Sequence, residues 1–173
     1  MLKNLFICAA LLAASLPSGA AAKPADYTGA WTLDMKQSKN LPPYYLHVQG
    51  HKLSITQDDR QLRVAVEISD AGREPFRVDF VYSLDGAETK TETQMRTPAG
   101  MRSVPTALKA EAAEDGTLRV TITREMAAPD GRALKAVTTE DWRLSPDAKT
   151  LNIHRADDTP RGKTESDMVF VKD

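Results

Sequence analysis

Along most of the chain the hydrophobic positions recur at every second residue. Leu53 and Ile55 alternate with Ser54 and Thr56, and Leu62, Val64, Val66 and Ile68 alternate with Arg63, Ala65 and Glu67. Phe76, Val78, Phe80, Tyr82 and Leu84 alternate with Arg77, Asp79, Val81 and Ser83. The same period runs through Leu118, Val120 and Ile122, through Leu134, Ala136, Thr138, Glu140, Trp142 and Leu144, and through Leu151 and Ile153. A period of two places each set on one face of an extended strand, the pattern of half-buried β-structure. Residues 29–34 read as a first strand, and Met168-Val169-Phe170-Val171, apolar on both faces, as the last. Between the runs stand Asp85-Gly86, Asp115-Gly116 and Asp130-Gly131, whose glycines supply the positive φ of tight hairpin turns. Asp70-Ala71-Gly72, Pro98-Ala99-Gly100 and Pro146-Asp147-Ala148-Lys149 separate other runs. Leu41-Pro42-Pro43 reads as a linker or an edge crossing, because proline donates no ladder hydrogen bond.

No helical period appears between the strands, which argues against a parallel βαβ sheet. Strands in sequence order joined by short turns predict an all-β domain. The favoured form is an antiparallel up-and-down meander closed into a barrel of about eight to ten strands. A two-sheet sandwich is the alternative. Closure has a physical motive, since it removes the exposed edge strands that long hairpins otherwise leave.

The first 22 residues break the pattern. Lys3 precedes the apolar run from Leu5 to Ala14, Pro17-Ser18-Gly19 interrupt it, and Ala20-Ala21-Ala22 follow. This is the grammar of a removable signal peptide, and the run is shorter than the ~20 residues that span a bilayer. The expected division is therefore a signal peptide over 1–22 and one β-barrel domain over 23–173. Cys8 is the only cysteine and lies inside the apolar run, ahead of the small residues that a lipidation site would follow. A mature chain without cysteine has no disulfide, thiolate nucleophile or sulfur metal ligand. Export without disulfides fits a bacterial periplasmic or secreted protein. The whole chain carries 23 basic and 24 acidic residues, a net charge of −1. That balance argues against nucleic acid as a partner, and no run of like charge marks a segment for an anionic membrane surface.

Gly29-Ala30-Trp31 opens the first strand. A glycine two residues before a tryptophan at this place resembles the lipocalin signature. The stretch Gly29 to Lys39, the turn Leu84-Asp85-Gly86 and the hairpin Ser145 to Leu151 resemble exported bacterial lipocalin-like proteins. The resemblance implies a lipocalin-like barrel with Trp31 plugging its closed end and an arginine from a late strand stacked across the ring. Arg143 and Arg155 are the candidates for that arginine. Independently of the resemblance, Trp31 reads as a core residue.

Few residues suggest chemistry. His47 and His51 have the spacing of a helical zinc pair, but Gly50 between them and extended flanks favour polar surface histidines, as for His154. No metal site or cofactor is expected. Glu140 shares a face with Leu134 and Trp142, which suits a ligand anchor or proton donor, while Asp141 points outward. Ser145 or Ser166 with His154 forms no recognisable hydrolase motif, and no Gly-x-Ser-x-Gly elbow exists. Asp58-Asp59 and Asp157-Asp158 lack the ligand cadence of a calcium loop. Residues 89–96 are polar on both faces, which suits a wet cavity mouth or a sheet edge equally. No catalytic residue is assigned.

The functional expectation is a soluble binding module for a small apolar or amphipathic ligand. Trp31, Phe76, Val78, Phe80, Tyr82, Leu118, Val120, Ile122, Glu140 and Trp142 would form its lining or its plug. The alternative is a filled-core interaction protein that docks on an envelope partner, and an enzyme is the third reading. The first two differ in whether the barrel interior is open or filled.

Overall fold

The computed structural model describes residues 24–97, 100–113, 115–128 and 131–173. The signal-peptide segment, Pro98-Ala99 and Asp130 lie outside the described residues. Ten antiparallel strands follow in chain order: β1 (Gly29–Leu33), β2 (Val48–Gln57), β3 (Gln61–Asp70), β4 (Phe76–Ser83), β5 (Thr89–Thr97), β6 (Gly100–Ala112), β7 (Leu118–Ala127), β8 (Ala133–Leu144), β9 (Thr150–Thr159) and β10 (Gly162–Lys172). They form one sheet in the order β4-β3-β2-β1-β10-β9-β8-β7-β6-β5. Each strand pairs with its sequence neighbour, and β1 pairs with β10 through Thr32 and Val171. The sheet curls into a nearly closed barrel. The one interruption is between β4 and β5, which share no hydrogen-bonded ladder.

The alternation read from the sequence sets which side chains enter the barrel. In β8, Thr138, Glu140 and Trp142 are buried while Lys135 and Arg143 are exposed. In β7, Leu118, Val120 and Ile122 point inward. One strand escaped that reading. β6 has Val104, Thr106, Leu108 and Ala110 buried on its inner face, but alanines and Pro105 dilute the signal. Another correction concerns residues 43–47, which form a short 3₁₀ helix rather than extended chain.

A meander gives the barrel two different ends. The turns β2–β3, β4–β5, β6–β7 and β8–β9 gather at one end. The long β1–β2 connection, with its 3₁₀ helix, and the turns β3–β4, β5–β6, β7–β8 and β9–β10 gather at the other.

The first end is filled. Tyr27, Trp31, Leu62, Leu118, Leu151 and Phe170 are fully buried there. Trp31 Nε1 donates to the Tyr27 carbonyl at 3.0 Å, and the Tyr27 hydroxyl donates to the Trp142 carbonyl at 3.1 Å. Burial pushes the Tyr27 phenol up to about 12. The cation over Trp31 is Lys172, with Nζ 5.2 Å from the ring centroid, and not an arginine. Arg143 instead reaches the β6–β7 turn, donating to Thr117 Oγ1 at 2.8 Å and Asp115 Oδ2 at 2.6 Å. Arg155 lies elsewhere, in the opposite half of the barrel. Gly29 sits beneath the Lys172 side chain with φ +151°, a conformation that L side chains rarely adopt, and this accounts for the glycine of Gly-x-Trp.

Candidate functional site: a cavity at the open end

Above the packed half, the barrel holds a cavity of about 740 Å³. Its apolar wall includes Val66, Ile68, Val78, Phe80, Met95 and Ile122, with Trp142 and Met168 also in its lining. Of the residues named from sequence, Phe76, Val78, Phe80, Tyr82, Ile122, Glu140 and Trp142 line it. Trp31, Leu118 and Val120 do not; all three are fully buried in the core.

The lining also contains charges. Arg124 follows Leu118, Val120 and Ile122 on the inner face of β7. Arg155 follows Leu151 and Ile153 on the inner face of β9. His51 precedes Leu53 and Ile55 on β2, only 6% exposed and so not a surface residue. In each case the period-two pattern continues past the last aliphatic side chain onto a polar one. That parity was the available signal for these three residues.

Arg155 is held on all sides. Its Nε and Nη2 donate to the two Asp157 oxygens at 2.8 and 2.9 Å, and its Nη1 meets Glu140 Oε1 at 3.4 Å. Asp157 also accepts from Thr138 Oγ1 at 2.6 Å, and Glu140 Oε2 accepts from Trp142 Nε1 at 2.9 Å. Burial works against the Arg155 charge, but Glu140 and Asp157 outweigh it and hold its pKa above the ordinary arginine value. Asp157 is pulled the other way: burial raises its pKa, and the Arg155 hydrogen bonds overcome that and keep the carboxyl below the usual range.

Arg124 is in a different position. Its guanidinium lies over the Phe80 ring, 5.9 Å from the centroid, and its buried Nε has no hydrogen-bond partner. Burial, then repulsion from Arg155, lowers its pKa despite attraction from Glu140 and Asp157. Counting Asp157, four arginines (Arg73, Arg96, Arg124 and Arg155) face three carboxylates at this cavity, the others being Asp70 and Glu140. Arg96 pairs with Asp70 and Arg155 with Asp157 and Glu140, which leaves Arg124 as the interior cation with an unused donor. The nearby Tyr82 phenol is pushed well above its ordinary range, by burial first.

The mouth is closed partly by side chains. The 3₁₀ helix places Tyr45 over the cavity, where its hydroxyl hydrogen-bonds His51 Nδ1 at 2.9 Å. Burial, then the Arg155 charge, pulls His51 down to about 4, so the imidazole is neutral at pH 7. Arg96 spans the β4–β5 interruption: it pairs with Asp70, donates to the Glu74 carbonyl at 3.0 Å and lies 5.6 Å from the Phe76 centroid. The doubly polar run 89–96 is thus both an edge strand and a contributor to the cavity, through Gln94, Met95 and Arg96.

Nothing in this lining sets a nucleophile against a base. His154 is on the outer face of β9, paired with Asp167 at 2.8 Å, whereas Ser166 is buried on the inner face of β10. The Ser145 hydroxyl is held by Asp147 at 2.6 Å. Among the described residues no group of three or more His, Cys, Asp or Glu side chains is placed to hold a metal ion. The arrangement is suited to enclosing an organic molecule and orienting its polar end.

No protein-family model matches the chain, and no curated protein matches it. Among solved structures, it is similar to lobster apocrustacyanin A1, with 12% identity and a TM-score of 0.39, over 85% of this chain and 61% of that one. Apocrustacyanin C2 gives 12% identity and a TM-score of 0.40 over the same shares. The chain thus spans less than two-thirds of the crustacyanin chains. Zebrafish ileal bile acid-binding protein, solved with cholic acid, gives 11% identity and a TM-score of 0.45 over 85% of this chain and 98% of that one. The chain's own ladder order and register define its barrel.

Proposed function

We propose that this protein binds a small amphipathic molecule, with its apolar body in the cavity and its acidic group against Arg124. The observation that carries the reading is an interior cavity of about 740 Å³ in which a buried guanidinium N–H has no partner. Cavities that enclose organic ligands span roughly 300–1,000 Å³ and combine apolar walls with a few oriented polar groups. A buried donor left unpaired costs about 1–3 kcal/mol, and an acidic ligand removes that cost while balancing the surplus charge. Glu140 is already engaged by Trp142 and Arg155, and its place in this reading is to hold Arg155 rather than the ligand.

The test is fluorescence titration with a fatty acid carrying an environment-sensitive dye, beside its methyl ester. The wild-type protein is expected to bind the acid saturably at micromolar concentrations. Arg124→Met is expected to weaken the acid by about 10–100-fold, the value of one hydrogen bond to a charged group, and to leave the ester nearly unchanged. No saturable binding of either probe to the wild type would overturn the proposal. Equal loss for acid and ester would remove the acidic group from it.

A further inference from the structure

The basic residues are scattered along the sequence, one or two to a turn, but the meander collects them. Alternate turns share an end of the barrel. The open end therefore carries Arg73 in the β3–β4 turn, Arg102 near the start of β6, Lys135 near the start of β8 opposite Glu125, and Arg161 in the β9–β10 turn, all exposed and without an ion pair among the described residues. Glu74, Glu125 and Asp158 are the exposed acids beside those turns, and Asp158 is neutralised by Lys163 at 3.0 Å. The filled end has the opposite character. Its turns and strand ends carry Asp58, Asp59, Asp85, Glu88, Asp115, Asp147 and Asp173 against Arg60, Arg143, Lys149 and Lys172. The barrel is nearly neutral overall yet polarised along its axis, a charge distribution that orients a protein as it approaches a charged surface.

The cationic end is also where large apolar side chains meet water. Leu46 is 84% exposed and Tyr44 52%, both on the 3₁₀ helix whose Tyr45 covers the cavity. Met101, at the β5–β6 turn, is 52% exposed. Aliphatic and tyrosine side chains ringed by exposed cations match a bilayer interface with anionic headgroups.

We infer that the open end of the barrel docks on an anionic lipid surface, with Leu46 and Tyr44 entering the interface beside the cavity mouth and the open-end cations over the headgroups. Docking in this pose sets the mouth against the membrane, the natural reservoir of amphipathic molecules. The contact itself needs no ligand, so it is measured on protein without probe and stands or falls separately from the proposed cavity occupant.

The experiment is co-sedimentation with vesicles of phosphatidylcholine alone and of phosphatidylcholine mixed with phosphatidylglycerol. The expected result is binding to the mixed vesicles only, weakening as added salt shortens the screening length. Each basic residue near an anionic surface strengthens partitioning about fivefold, so Arg73→Gln/Arg102→Gln/Arg161→Gln is expected to lower it about a hundredfold. Arg73 and Arg161 are exposed in turns and Arg102 is exposed near the start of β6, and unchanged far-UV circular dichroism confirms the fold. Leu46→Ser is expected to weaken binding without altering its salt dependence, while Lys149→Gln at the filled end leaves it unchanged. The inference is overturned if the triple variant binds like the wild type, or if Lys149→Gln weakens binding as much as each open-end substitution does. No binding to mixed vesicles also overturns it and turns attention to an acidic protein partner.

Discussion

Replacing Arg124 by methionine should make the ligand-free protein more stable, although it removes a charged residue from the interior of its own cavity. The wild-type residue carries an unsatisfied buried Nε, which costs about 1–3 kcal/mol. Its stacking on Phe80 at 5.9 Å returns about 0.5–1 kcal/mol. Attraction from Glu140 and Asp157 also favours the charge, but the lowered pKa shows that burial and Arg155 prevail. Methionine retains an unbranched apolar stem against Phe80 and Ile122 and brings no donor. The net gain is about 1 kcal/mol, which raises the melting temperature of a domain this size by about 2–4 °C. Thermal unfolding of both proteins by circular dichroism at pH 7, without ligand, measures it. A fall in melting temperature on substitution would falsify the reasoning, because it would make the guanidinium a support of the fold. Together with the weaker binding of an acidic probe, the expected rise marks Arg124 as a site where stability is given up for recognition.

Trp31→Ala should destabilise by about 3–5 kcal/mol, because it removes a fully buried ring, its hydrogen bond to Tyr27 and its contact with Lys172. Thermal unfolding should show a drop of about 10 °C, and a loss below about 1 kcal/mol would contradict the assigned packing. His51 gives stability a pH dependence of definite sign. Its folded pKa of about 4 lies below the ordinary histidine value of 6.5 expected for the unfolded chain, so the unfolded state binds the extra proton between these values. Stability should therefore rise with pH across that window, by up to about 3 kcal/mol in all, and level off above it. In urea titrations, His51→Gln should flatten the slope between pH 4 and 6.5; an unchanged slope would assign it to other groups.

Alternation alone was enough to place most strands, because one face of each is buried and a slip of one residue would reverse every side chain. The same parity contained more of the site than its apolar members. His51, Arg124 and Arg155 stand on the inner phase of β2, β7 and β9. Polar types at the end of an apolar run suggest surface, and only the depth of the barrel shows that they face a cavity. β6 was illegible because Pro105 and its alanines carry little strand signal; pairing with β5 and β7 decides it. The cation over Trp31 could not be read from one sequence either. Arginine and lysine can both fill that place, and the register of β1 against β10, with Trp31 opposite Lys172, selects the lysine.

That same register has a kinetic side. Every other ladder joins strands that are neighbours in sequence: seven hairpin pairings form by closing short loops, and β1 pairs with β2 across the longer connection. β1 and β10 must find each other across nearly the whole chain, the slowest kind of contact to form. During synthesis, hairpins can assemble from β2 onward while β1 waits for the partner that emerges after all the other strands. The open edge of β1 is an aggregation hazard throughout that interval. Lys172 settles over Trp31 only when β10 arrives, so the tryptophan at the base of the barrel is also where folding ends.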